Sequence, residues 1–105
     1  MPLHQAINSL KANIPSSRET AQKFLDTLSP SIQQQLIAAI YLGREHIQSS
    51  KLRKDEDIEM SRSYTDHIEK DEYANILWEK GDNVITYLNK LEECANASGF
   101  DLNQL

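Results

Sequence analysis

Cysteine is almost missing from this chain: Cys94 stands alone, so no internal disulfide can form. Small secreted domains ordinarily need several bridges, and the expectation is a reducing, cytoplasmic setting. Three glycines and three prolines in 105 residues supply few obligatory turns, which argues against a fold of many short strands. Valine occurs once, at Val84, and the other β-branched residues never alternate over a run. No apolar run approaches the roughly 18 residues of a membrane span. The longest, Leu36 to Gly43, falls far short of that, so no membrane role is expected. The N-terminus does not join a basic stretch to an apolar one, and no secretory signal is expected either.

What is present is an ordinary folded composition, 39% hydrophobic and 26% charged, at the length of one domain. The net charge of −5 is unevenly spread. Residues 1–54 carry seven Lys/Arg against three Asp/Glu, whereas residues 55–105 carry four against thirteen. Such asymmetry speaks of association rather than fold. It describes two solvated surfaces of opposite sign, a polar self-association, or an acidic face that meets a basic partner.

The helices announce themselves through their ends and their apolar spacing. Leu3, Ala6, Ile7 and Leu10 predict a first helix over Leu3–Ala12, stopped by Asn13 and Pro15. Ser16-Ser17-Arg18-Glu19 fits a capping box, in which Glu19 reaches back to the cap. Ala21, Phe24, Leu25 and Leu28 then form a second stripe. Ser29-Pro30 opens a third helix, because proline suits a first position whose N–H would lack a partner. Its stripe is Ile32, Leu36, Ile40, Gly43 and Ile47, widened by Ile37 and Tyr41. A helix apolar all round sits at the centre of its domain, so residues 30–48 are the expected core helix.

Ser49 to Lys54 reads as an exposed connection. A fourth helix is predicted over Asp55–Glu69, opening on Asp55-Glu56-Asp57-Ile58-Glu59 and thin in apolar residues. A fifth is predicted over Asp71–Lys80 with Gly81 as its stop. A sixth follows from an Asp82 cap through Ser98, with Val84, Leu88, Leu91 and Ala95 as its seam. Gly99 is suited to a left-handed cap with Phe100 folding back onto Ala95. Together these segments predict an all-α fold, one bundle of five or six helices spanning 1–105. Residues 1–15 and 101–105 are candidates for its edge, although Leu102 and Leu105 could dock.

No pattern of catalysis or cofactor binding emerges. His4, His46 and His67 lie far apart and read as surface histidines, without the close His/Cys spacing of a zinc site. The 55–59 acids lack the glycine of a calcium loop, since Met60 holds the sixth position. Cys94 reads as a small core residue, its thiol disfavoured as a nucleophile by Glu93. Segments two and three invite comparison with a helix-turn-helix, Gln33-Gln34-Gln35 being the only match to a reading surface. With no basic residue on that helix before Arg44 and an acidic chain overall, the sequence argues against nucleic acid.

Two stretches resemble, taken together, a small bacterial all-helical domain family of unknown function. One is Leu36-Ile37-Ala38-Ala39-Ile40-Tyr41-Leu42-Gly43-Arg44. The other runs from Tyr73-Ala74-Asn75-Ile76-Leu77 to Asn83-Val84-Ile85-Thr86-Tyr87-Leu88-Asn89-Lys90-Leu91. The likeness covers about residues 29–100, with Glu45-His46 standing where the family often has Gly-Asp. It implies helices and no established activity. It singles out Gly43, as a close-approach point or a cap, and Arg44, as a partner for acids or a ligand.

The sequence thus points to a protein-interaction or regulatory module with an acidic C-terminal half, binding another protein or itself. Its candidate contact residues are Arg44, Trp78, Tyr87, Asp55, Glu56, Asp57 and Glu59. Alternatives are a nucleic-acid-associated regulator using helices 17–28 and 30–48, and a small enzyme with a fold-assembled pocket near Arg44.

Overall fold

Local signals at the helix ends decide most of the boundaries. In the computed structural model, which describes residues 2–53 and 58–105, five α-helices follow in order. They are α1 (Leu3–Ala12), α2 (Arg18–Asp26), α3 (Pro30–Glu45), α4 (Tyr73–Lys80) and α5 (Asn83–Ser98). No strand occurs among the described residues, and the fold is all-α.

Ser29 caps α3, its Oγ accepting the Ile32 N–H at 3.3 Å, and Pro30 takes the first helical position. Ser17 caps α2 through the Thr20 N–H at 3.1 Å. The expected reciprocal bond from Glu19 does not form. With Ser17 rather than Ser16 as the cap, the third helical residue is Thr20, whose hydroxyl lies 2.9 Å from that of Ser17. Gly81 ends α4 at φ +50°, and Gly99 ends α5 in the left-handed region at φ +67°. The Phe100 N–H then reaches back to the Ala95 carbonyl at 2.9 Å, as expected for a Schellman ending. Asp82 holds the cap position of α5, but its side chain makes no capping bond.

α3 is the centre of the molecule. Leu36, Ile37, Ala38, Ala39, Ile40 and Leu42 have no exposed surface, and α5, α1 and the 62–65 turn all pack on it. Gly43 permits the closest approach. A Cβ there would stand 2.0 Å from the Tyr87 main-chain oxygen, so only a bare backbone lets α5 cross at this depth. Because α3 continues through Glu45, Gly43 is a contact point and not a cap.

Several expectations need correction. The core helix ends at Glu45, not near 48. His46 leaves helical geometry, and its ring Nδ1 lies 2.7 Å from the Leu42 carbonyl. Ile47, expected on the stripe, is therefore 41% exposed. His46 itself is fully buried, not a surface histidine. The expected fourth helix is replaced, over 58–69, by one short 3-10 turn at Arg62–Thr65. The Ser61 Oγ accepts the Ser63 N–H at 3.1 Å and tightens that turn. Ile58, Met60, Tyr64 and Ile68 are too few for a continuous helical stripe, and each packs singly against the core.

Both candidate edges pack into the core, the tail through the docking of Leu102 and Leu105. Leu3, Ala6, Ile7 and Leu10 of α1 have no exposed surface. The C-terminal residues form a 3-10 turn, Leu102–Gln104, and Leu102 and Leu105 are buried. The buried Gln35 amide donates to the main-chain oxygens of Asn103 and Leu105 at 3.0 and 2.9 Å. Arg62 Nε donates to the same Leu105 oxygen at 3.0 Å. The tail thus satisfies an amide that would otherwise be stranded inside α3.

Candidate functional site

Tyr41 and Arg44 are three residues apart on α3, so they lie on one face of the helix. Across from them, the Gly43 contact brings the backbone of Tyr87 against α3. The third contributor is Lys80, in the last turn of α4. Its ammonium lies 4.8 Å from the centre of the Tyr41 ring and 5.9 Å from that of Tyr87. Both distances are within cation–π range. Tyr41, Tyr87 and Lys80 are half-buried, whereas Arg44 is exposed.

The electrostatics of this patch are unbalanced. Partial burial, and then the neighbouring Arg44 guanidinium, hold the Lys80 ammonium below the usual lysine range, with Glu79 pulling the other way. Salt bridges among the described residues join Lys11 to Glu92, tying α1 to α5, and Lys90 to Glu93 within α5. Neither Arg44 nor Lys80 has a carboxylate at salt-bridge distance among the described residues. Two neighbouring cations of an acidic protein thus meet here, and one of them, Lys80, lies over two aromatic rings.

The other candidate residues fall elsewhere. Asp55, Glu56 and Asp57 lie outside the described residues. Glu59 is exposed in an irregular stretch. Trp78 is 45% exposed, the one tryptophan of the chain turned to solvent rather than used in the core. By contrast Tyr73 is buried, and burial raises its phenol above the usual range, with Asp66 adding to the effect. Sequence reasoning flagged Arg44 and Tyr87 but missed Lys80 and gave Tyr41 only a packing role. No local signal joins Lys80 to Tyr41, because helical spacing says nothing about which helices meet.

The cavities do not assemble an acid–base pair. An open crevice of about 760 Å³ runs between Gln48–Arg53 and Ala97–Ser98, and among the described residues no carboxylate or imidazole lines it. A smaller one of about 310 Å³ is lined by His4, Glu92 and Asp101, among others. There Glu92 is committed to Lys11, and Asp101 accepts the Asn103 N–H at 3.0 Å. Arg44 lines neither cavity. No group of three or more His, Cys, Asp or Glu among the described residues is arranged to hold a metal ion. Cys94 is buried with its Sγ 3.6 Å from the Ser49 carbonyl, and burial raises its thiol above the usual range.

The glutamines that matched a DNA-reading helix are mostly engaged internally. Gln33 donates to the Leu25 and Leu28 carbonyls at 2.9 and 3.2 Å, and Gln35 holds the tail. Only Gln34 of the three is exposed.

No helix of the described residues is long and apolar enough to cross a membrane. No family model, no curated protein and no solved structure matches the chain.

Proposed function

We propose that this protein is a non-enzymatic interaction module that works in the cytoplasm and binds a protein partner. What supports the reading is the cluster of Lys80 over Tyr41 and Tyr87 with Arg44 beside it. Aromatic and arginine side chains are the commonest anchors of protein interfaces. An arginine without a carboxylate partner is available to bind. Trp78 adds a second exposed aromatic, on α4, and the acidic C-terminal half supplies the opposite charge elsewhere on the surface. The lone reduced thiol of Cys94 fits a reducing compartment.

The family resemblance carries no activity and adds nothing to this assignment. The test is affinity capture from the native host, paired with sedimentation of the isolated protein. The expected result is a partner enriched by the wild type and reduced by Tyr87→Ala or Trp78→Ala. A protein that captures no partner and stays strictly monomeric at high concentration would overturn the assignment.

A further inference from the structure

An exposed arginine and a half-buried lysine repel each other wherever they are neighbours, and an anion between them relieves that repulsion. At the junction of α3, α4 and α5 the two cations are adjacent, and Lys80 is held in place by two rings. We propose that Arg44 and Lys80, the latter lying over the Tyr41 and Tyr87 rings, bind a carboxylate-rich segment of another protein. This rests on the interaction-module reading and names the chemistry of the partner. Arg44 offers a planar fork suited to a carboxylate, and Lys80 offers a point charge. The ring faces provide apolar area for the methylenes of a glutamate side chain.

Two other occupants fit less well. A second copy placed face to face would set Arg44 and Lys80 against their own counterparts. A second copy placed head to tail, acidic face on basic patch, would form an open chain of molecules instead of a closed dimer. Nucleic acid draws its affinity from many phosphate contacts, and this patch provides two cations in a chain of net charge −5. An acidic peptide needs only a short run of carboxylates to engage two cations.

The experiment titrates a decaglutamate peptide into the isotope-labelled full chain at low salt and follows backbone amide shifts. The expected result is saturable shifts at Tyr41, Arg44, Lys80 and Tyr87, lost at high salt. Arg44→Gln with Lys80→Gln should weaken binding about tenfold, as losing two charge contacts at the surface, one of them half-buried, does. Arg44→Lys, which keeps the charge, should retain most of the binding and shows that the patch tolerates substitution. Absent shifts, shifts centred elsewhere, or binding unchanged in the double variant would overturn the proposal. So would an oligothymidylate that binds the same residues as tightly. If the double variant still captures the native partner, the site falls while the module reading stands. If decaglutamate binds but no host protein is captured and no self-association occurs, the module reading falls instead.

Discussion

The contact between α3 and α5 and the connection from His46 to Glu72 are built by different physics. The first is a dry seam. Leu36, Ile40, Leu88 and Leu91 are fully buried, and Gly43 lets the two backbones touch. Over its described residues the second is held by scattered apolar side chains, among them Leu52, Tyr64 and Ile68, and by single polar bonds. The Arg53 N–H donates to His46 Nε2 at 3.0 Å, the Leu52 N–H to Ser98 Oγ at 2.9 Å, and Lys90 to the Ser49 carbonyl at 3.1 Å. Apolar periodicity marks the first region in the sequence and is nearly silent on the second. A segment held by scattered side chains and single hydrogen bonds leaves no repeat to read.

Substitutions can break this contrast at either end. The largest loss belongs to the seam. Leu88→Ala removes a fully buried side chain and should lower stability by about 4 kcal/mol in denaturant unfolding. Gly43→Ala comes next, at about 3 kcal/mol, because its methyl meets the Tyr87 backbone rather than a side chain that can move aside. A neutral Gly43→Ala would mean the helices do not approach as closely as described.

His46→Leu tests the connection. Nδ1–H donates to the Leu42 carbonyl and Nε2 accepts from Arg53, an arrangement that requires the neutral ring. Losing both bonds should cost about 1–2 kcal/mol. The sharper readout is local: hydrogen exchange should speed at Ser49, Leu52 and Arg53 while the α3 and α5 amides keep their protection. Uniform acceleration would show the two regions to be one cooperative unit.

The smallest effect concerns Cys94, where the regions meet. Its folded-state thiol binds its proton more tightly than the unfolded one, because burial disfavours the thiolate. That stabilising difference is fully present below the ordinary thiol range and declines as pH rises through it. Thermal unfolding between neutral and mildly alkaline pH should therefore fall less steeply in Cys94→Ala than in the wild type. Parallel slopes would place the thiol in contact with water.

Of the candidate site, Arg44 and Tyr87 were legible because one follows the apolar stripe and the other is an aromatic on an amphipathic helix. Lys80 was not, since nothing within α4 says that its last turn faces α3. His46 was misread for the same reason. A histidine past the end of a helix looks solvent-bound until the loop that returns over it is known. Over 58–69 the fourth helix did not form, because too few apolar residues were there to hold a face against the core.

By itself the sequence determined the helical class, the central place of α3, the proline and glycine boundaries, and the small residue at which a second helix could draw near. These follow from spacing along one chain and from the local preferences of caps. Only the tertiary structure decided that the termini belong to the core, that the Gln35 amide holds the tail, and that Lys80 meets two tyrosine rings beside Arg44. Those outcomes depend on which surfaces meet, and residues dozens of positions apart carry no local record of their meeting.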